Sequence, residues 1–97
     1  MRCKFSPQAE IDLEKIGDFI AQDNPVRAES FVDELRDYCL NLTNPPEFRR
    51  VITHYKGRPL RKALFGNYQV YYSPQIGADG IEIIHIRHGA RLAPKFP

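Results

Sequence analysis

LRKALFGNYQVYYS, at residues 60–73, is the stretch of sequence that decides the fold. The periodicity changes here from the 3.6 of the preceding segments to about two, which is typical of β-strands, on both sides of Gly66-Asn67. Glycine and asparagine suit a two-residue turn, because both tolerate the backbone angles that such a turn requires. The stretch therefore predicts a tight hairpin with antiparallel strands at residues 60–65 and 68–73.

A third strand is predicted at residues 81–88, where the sequence reads IEIIHIRH. Because the centre of this segment is apolar on both sides, we expect it to lie in the interior of the sheet. Alternation assigns its side chains to two faces, with Ile81, Ile83 and His85 on one face and Glu82, Ile84, Ile86 and His88 on the other.

The first helix is predicted to begin at Ser6-Pro7, after a short segment at residues 2–5 that can form a strand. The serine hydroxyl can cap the helix, and proline suits the first helical position because its missing N–H would have no partner there. Apolar residues then recur at helical spacing. This buried stripe comprises Ala9, Leu13, Ile16 and Ile20 with Phe19 beside them, and the residues expected to face water are Glu10, Asp12, Glu14 and Asp18.

The second helix is predicted to begin at Asn24-Pro25, which repeats the start signal and ends the first helix near Asp23. It is expected to stop at Asn44-Pro45-Pro46. Because the connection between the helices is so short, they should pack as an antiparallel hairpin. The apolar positions of the second helix are Ala28, Phe31, Val32, Leu35, Cys39 and Leu42.

The order of these elements predicts one domain over residues 1–97 with an α+β fold. Helices and strands occupy separate parts of the sequence, so an N-terminal strand and an antiparallel helical hairpin should pack on a three- to four-stranded antiparallel sheet. The segment between the second helix and the hairpin is expected to be an arginine-rich loop. One face of the sheet then stays half open, and such a face is either polar or binds a partner.

Composition excludes several classes of protein. Hydrophobic residues make up 42% and charged residues 27% of the chain, which are ordinary values for a globular domain. No apolar run approaches the roughly 18 residues of a membrane span, and the N-terminus does not resemble a signal peptide, so we expect a cytoplasmic protein. There is no glycine-rich phosphate loop and no zinc-ligand spacing, and Cys3 and Cys39 form no disulfide framework, so we expect no cofactor and no metal.

Charge is distributed unevenly along the chain. Residues 1–44 contain 5 Lys/Arg and 9 Asp/Glu, a balance of −4, whereas residues 45–97 contain 9 and 3, a balance of +6, and together these give the net charge of +2. Residues 49–62 contain six basic side chains and no acidic one. Such a segment attracts nucleic acid or an acidic protein, unless it serves only to balance the acidic helices.

Three motifs, in this order over nearly the whole chain, resemble the ParE branch of the RelE/ParE toxin superfamily. They are Ser6-Pro7-x-Ala9-x-x-Asp12-Leu13 at the first helix, Asn24-Pro25 between the helices, and His88-Gly89-Ala90-Arg91 after the last strand. They lie within the longer stretches KFSPQAEIDLEKIGDFIAQDNPVRAESFVDEL, RPLRKALFGNYQVYYS and IEIIHIRHGAR. The fold that this resemblance implies is the one predicted above.

The resemblance implies a bacterial toxin of a type II toxin-antitoxin module, held in a hetero-oligomer with a ParD-like antitoxin that neutralises it. ParE-like members inhibit DNA gyrase by binding it, and replication stops. RelE-like relatives are instead ribosome-dependent mRNA endoribonucleases. Because the two branches share a fold, the fold alone does not choose between these functions.

The basic residues around the sheet form the target-binding set that the resemblance implies. The RNA-cutting branch uses a tyrosine or histidine near the C-terminus as acid or base, and this chain has Phe96 there, which cannot transfer a proton. The sequence therefore favours a binding toxin without catalytic residues, with a metal-independent endoribonuclease as the alternative. The target-binding set is Arg58, Arg61, Lys62, Arg87, His88 and Arg91, of which Arg61, His88 and Arg91 would be catalytic in an endoribonuclease.

The antitoxin is expected to lay a helix across exposed apolar parts of the helical hairpin and to add an extended segment near the open sheet. An antitoxin tail rich in acidic and apolar residues would complement both the charge and the shape of this toxin. The residues predicted to contact the antitoxin are Leu13, Ile16, Phe31, Leu35 and Tyr71.

Overall fold

The computed structural model of the chain describes residues 2–42, 51–75 and 80–89. In chain order its elements are β1 (Arg2–Phe5), α1 (Pro7–Ala21), α2 (Pro25–Asn41), β2 (Val51–Tyr55), β3 (Arg58–Phe65), β4 (Tyr68–Pro74) and β5 (Gly80–His88). The predicted α+β fold is confirmed, whereas the stop predicted at residues 44–46 lies outside the described residues. Neither α1 nor α2 combines the length and the apolar character that crossing a bilayer would require.

The strands form one five-stranded sheet in the order β1-β5-β4-β3-β2. β1 pairs parallel with β5, and the other neighbours pair antiparallel. The interior position predicted for β5 is confirmed, and so is the predicted N-terminal strand beside an antiparallel sheet. The prediction differs from the structure in two details of the sheet. It treated β2 as a loop, because four of the five side chains of this edge strand are exposed and no apolar alternation marks it. It also missed the parallel pair, which joins the two ends of the sequence.

Both helices begin at their predicted caps. Ser6 Oγ accepts a hydrogen bond from the N–H of Ala9 at 3.0 Å, and Asn24 Oδ1 accepts one from the N–H of Arg27 at 3.0 Å. A proline follows each cap in the first turn. The Ser6 hydroxyl also donates to the carbonyl oxygen of Ile84 at 2.8 Å, so the same cap fixes the start of α1 against β5.

The main core lies between the helical hairpin and one face of the sheet. Leu13 of α1 and Leu35 of α2 share this cluster with Val70 of β4 and Ile83 of β5, and all four are buried. Each large aliphatic side chain of this kind contributes about 1.5–3 kcal/mol to folding by leaving water. The apolar stripes predicted from helical spacing therefore face the sheet.

Two residues of α1 have environments opposite to those predicted. Phe19, expected beside the buried stripe, is 62% exposed, and Asp12, expected to face water, is only 7% exposed. Asp12 lies three residues after Ala9 and four before Ile16, and both of these are buried. Helical periodicity itself thus places Asp12 on the inner face, although an acidic residue there is unusual.

A β-bulge in β5 moves side chains between the two faces of the sheet. Neighbouring residues of β4 pair with Ile83 and His85, so Ile84 between them is an extra residue. Strict alternation predicts Ile83 and Ile86 on opposite faces, and this is wrong because of the inserted residue. Both lie in the main core, while Ile84 packs in a small cluster with Leu60 on the opposite face.

β1 covers only the first half of the outer edge of β5. It pairs with residues 80–83, and the chain then turns away at Ser6, whose N–H donates to the carbonyl oxygen of Ile83 at 2.9 Å. Residues 84–88 extend beyond β1, and α1 lies beside this half of the strand. The fold therefore brings one face of a helix next to a strand edge that has no partner strand within residues 2–42, 51–75 and 80–89.

Candidate functional site

The sheet face that α1 and α2 do not cover carries basic and aromatic side chains. Lys62 of β3 pairs with Tyr71 of β4, and Gln69 of β4 pairs with Arg87 of β5. Tyr71 packs in the small cluster on this face, and its hydroxyl donates to Gln69 Oε1 at 2.8 Å. Directly paired residues share a face, so Lys62 and Arg87 lie on this face as well. We name Lys62, Gln69, Tyr71 and Arg87 the open-face cluster.

The pKa of the Tyr71 phenol is raised above its ordinary value. Burial is the main cause, and the positive charge of Arg87 acts in the opposite direction. The phenol therefore stays protonated at neutral pH and remains a hydrogen-bond donor.

Arg58 is part of a structural ion pair. Its Nη1 donates to Glu82 Oε1 at 3.1 Å and to the carbonyl oxygen of Pro74 at 3.2 Å. The side chains of Arg58 and Glu82 are only 14% and 17% exposed. A target contact by Arg58 stays a prediction, and in the structure this guanidinium joins β3 to the end of β4 and to β5.

Arg61 and Lys62 point to opposite faces of β3. Arg61 pairs with Tyr72, which lies in the main core beneath the helices, whereas Lys62 pairs with Tyr71 on the open face. The sequence predicts one basic surface that contains both residues, and alternation along the strand rules this out. Arg91 lies outside the described residues.

His88 ends β5 on the side of the sheet that faces the helices. Its ring packs edge-on against Tyr68, with ring centroids 5.2 Å apart, and Tyr68 is buried in the main core. Arg87 precedes it on the opposite face. The predicted target-binding set is thus divided, with Lys62 and Arg87 on the open face and Arg61 and His88 on the other.

The apolar residues predicted to contact an antitoxin lie largely inside the fold. Leu13, Ile16, Leu35 and Tyr71 are buried, and Phe31 is half-buried. Their contact with an antitoxin stays a prediction, and in the structure the helical residues among them pack each helix on its own sheet. Among the described residues, the large apolar side chains that the helices do expose are Ile11, Phe19, Val26 and Leu40.

The buried carboxylate of Asp12 holds the free edge of β5. Its Oδ2 accepts a hydrogen bond from the N–H of Ile86 at 2.8 Å and also contacts His85 Nδ1. Its Oδ1 accepts one from Gln8 Nε2 at 2.9 Å. Asp12 therefore supplies acceptors to the part of β5 that β1 does not reach. The sequence prediction missed this role, although the helical position of Asp12 was a usable signal.

His85 connects Asp12 to the open-face cluster. In the tautomer that donates from Nδ1 to the Asp12 carboxylate, Nε2 accepts from Arg87 Nη1, at 3.4 Å. The Nε of Arg87 is buried and has no hydrogen-bond partner among the described residues. The sequence assigned no role to His85, because its contact with Asp12 depends on the bulge and on how α1 lies against the strand.

A groove of about 600 Å³ lies between α1 and the half of β5 that β1 leaves uncovered. The exposed ring of Phe19 stands at one wall. Apart from the buried Asp12 carboxylate and the Tyr68 phenol, the ionisable groups around the groove are basic. The polar residues that line it are Gln8, Asp12, Lys15, His85, Arg87 and His88.

The described part of the chain does not provide a metal site. Within residues 2–42, 51–75 and 80–89, no three His, Cys, Asp or Glu side chains gather closely enough to hold an ion. Cys3 and Cys39 are free thiols, and burial raises their pKa values to about 11 and about 12. Both thiols are therefore protonated at neutral pH, a state that suits packing rather than nucleophilic chemistry.

Comparisons with known proteins agree with the fold and with the motifs. The family model described as the ParE toxin of the type II toxin-antitoxin system, parDE, matches residues 3–93. A solved structure titled "Chromosomal ParDE TA system from P. aeruginosa" is similar over 91% of this chain and 95% of its own, with a TM-score of 0.73 and 17% sequence identity. At this identity the structural match shows a shared fold. No curated protein sequence matches the chain.

Proposed function

Because this chain belongs to the ParE toxin family of type II toxin-antitoxin systems, we propose that it arrests growth by binding DNA gyrase through the open-face cluster. The family that the three sequence motifs suggest is confirmed by the match over residues 3–93. In the proposed mechanism no bond is made or broken by the toxin. Its cationic face attaches to an acidic surface of gyrase or to the DNA that gyrase holds, and an antitoxin hides that face.

The observation that carries this proposal is the placement of Lys62 and Arg87 around Tyr71, on a sheet face that α1 and α2 leave open. Arginine and tyrosine are enriched among the residues that contribute most to binding at interfaces. The two cations also lie in the half of the chain with a balance of +6. We retain Arg91 in the proposed set, because it follows β5 closely in sequence.

Charge reversal on the open face tests the proposal. We expect Lys62→Glu with Arg87→Gln to weaken gyrase binding by about tenfold or more, because both charges that attract the target are lost. Growth arrest and the accumulation of cleaved plasmid should disappear, while the circular dichroism spectrum is unchanged. Arg27→Gln is the matched control, because Arg27 lies on α2 in an exposed ion pair with Glu34. If the double variant is as toxic as the wild type at equal expression, the open-face cluster is not the gyrase-binding surface.

The same induction experiment separates gyrase binding from the endoribonuclease alternative. A gyrase inhibitor gives cleaved plasmid and intact mRNA, whereas an endoribonuclease of the RelE type gives new mRNA ends in a translating extract. If such ends appear, and are lost in Arg61→Gln or His88→Ala, the binding mechanism must be abandoned.

We place the antitoxin contact on the outer face of the helical hairpin, together with a segment that reaches the open sheet. Val26 is 81% exposed at the start of α2, and burial of such an apolar side chain by a partner protein favours binding. We expect Val26→Asp to reduce co-purification of the protein encoded beside the toxin gene, and Glu29→Gln to leave it unchanged. Recovery of no small partner with the wild-type chain would contradict the antitoxin proposal.

A further inference from the structure

The groove between α1 and β5 contains a guanidinium that is only partly satisfied. Arg87 Nη1 contacts His85, but Arg87 Nε is buried without a hydrogen-bond partner among the described residues. A buried N–H without an acceptor is unfavourable, so an anionic oxygen beside it is stabilised. Asp12 does not supply that oxygen, because its carboxylate already accepts from Gln8 and from the N–H of Ile86.

The helix wall of the same groove adds a second cation and an exposed aromatic ring. Lys15 and Phe19 are one helical turn apart on α1, and both line the groove. Phe19 is 62% exposed, which is unfavourable for a large apolar ring unless a partner covers it. Cations that contact phosphates beside aromatic rings that stack on bases are typical of sites for single-stranded nucleic acid.

The size and composition of the groove favour a nucleotide segment over an acidic peptide. A volume of about 600 Å³ is within the range of sites for small ligands, roughly 300–1,000 Å³. A peptide carboxylate would satisfy the cations, but it provides no planar group for the Phe19 ring. A nucleotide supplies an anion and a planar base a short distance apart.

We propose that this groove binds a short segment of single-stranded nucleic acid. Arg87 and Lys15 contact one phosphodiester, Phe19 stacks on an adjacent base, and Asp12 acts through His85 to position the guanidinium. This site goes beyond the proposed gyrase contact, because Lys15 and Phe19 are outside the open-face cluster. The two sites share Arg87 alone.

Binding of a fluorescein-labelled single-stranded DNA of ten nucleotides to the purified chain tests the proposal by anisotropy. We expect Phe19→Ala, Lys15→Gln and Arg87→Gln each to weaken binding by about three- to tenfold, and Phe19→Tyr to restore it because the stacking ring returns. Lys15→Gln should also lower the slope of log affinity against log salt by about 0.7. Arg27→Gln should change affinity less than about twofold, because Arg27 does not line the groove and is already in an exposed ion pair with Glu34.

Several results would overturn this proposal. One is the absence of binding above that of a neutral control protein, and another is equal affinity for Phe19→Leu and the wild-type chain, since leucine keeps apolar surface but cannot stack. Competition by hexaglutamate as strong as that by the oligonucleotide would show a carboxylate site instead. If Arg87→Gln unfolds, Lys15→Gln and the Phe19 variants still decide the result, because both side chains are exposed.

This test and the gyrase test can fail separately. Phe19→Ala should weaken oligonucleotide binding and retain gyrase binding, whereas Lys62→Glu should weaken gyrase binding and retain most of the oligonucleotide affinity. If Phe19→Ala weakens binding of neither ligand, the groove proposal fails and the gyrase proposal stands.

Discussion

Asp12 links the helical layer to the sheet through a single carboxylate. Its two oxygens accept hydrogen bonds from the amide of Gln8 and the N–H of Ile86, and one of them also contacts the ring of His85. An asparagine would offer one acceptor oxygen in place of two, and its amide group would face a donor. The Asp-Leu pair of the first motif thus combines the buried anchor Asp12 with the core residue Leu13.

Removing the Asp12 carboxylate should destabilise the fold strongly. In Asp12→Ala the N–H of Ile86 and the His85 ring lose their acceptor, and we expect the free energy of unfolding to fall by about 2–4 kcal/mol. Urea denaturation at neutral pH measures the effect. Asp18→Ala, on the exposed side of α1, should change stability by less than about 0.5 kcal/mol. Equal stability of the two variants would show that the carboxylate is not an anchor.

The thiol of Cys39 should make stability fall at high pH. Burial raises its pKa from 9.0 to about 12, so the folded state binds this proton more tightly than the unfolded chain does. The contribution is complete below pH 9 and is lost as the pH rises toward 12. We therefore expect the free energy of unfolding to decline over this range, and to decline less in Cys39→Ala.

Thiol labelling provides an independent check on Cys39. Iodoacetamide at about pH 8 should modify this residue in the folded chain much more slowly than in urea, because the reactive thiolate is scarce and the side chain has no exposed surface. Labelling at the same rate in both conditions would mean that Cys39 is open to solvent.

At the scale of elements, the sequence predicts best what is determined locally. The helix starts and the β3–β4 turn depend on a few adjacent residues, such as Ser6, Asn24 and Gly66, and these predictions are confirmed. β2 and the bulge at Ile84 depend on pairing with other strands, which periodicity within one segment does not report. The facing of β5 was therefore predicted correctly up to Ile84 and wrongly from His85 onward.

The turn between β3 and β4 should discriminate between substitutions of Gly66. This residue has a φ of 56°, in the left-handed region, and an added Cβ would meet no atom within 4 Å. Gly66→Ala is therefore expected to cost about 1 kcal/mol through backbone strain alone, which lowers the melting temperature by about 4–8 °C. Gly66→Asn should cost less, because asparagine tolerates this conformation. Equal melting temperatures of both variants and the wild type would show that position 66 accepts a side chain without backbone strain.

At the scale of the whole molecule, acidic helices lie against a sheet whose strands and connections carry most of the basic residues. The sequence identified Lys62 and Arg87 of the proposed site, because both are visible as cations on predicted strands. It did not reveal that Arg58 is tied to Glu82, or that Asp12, His85 and Arg87 are in contact, because these contacts join elements far apart in the chain. Residue type predicted which side chains are cationic, and the pairing of the strands determined which of these side chains share the open face.

The charge distribution predicts how association with gyrase should respond to salt. If the open-face cations steer the toxin to an acidic target, the association rate should fall by about tenfold as sodium chloride rises from about 50 to about 300 mM, while the dissociation rate changes little. Surface plasmon resonance with immobilised gyrase measures both rates. The double variant Lys62→Glu with Arg87→Gln should associate slowly at every salt concentration, because the steering charge is gone. A salt effect that appears in the dissociation rate alone would instead indicate short-range contacts formed after docking. The open face would then stabilise the formed complex and would not accelerate its formation by long-range electrostatic attraction.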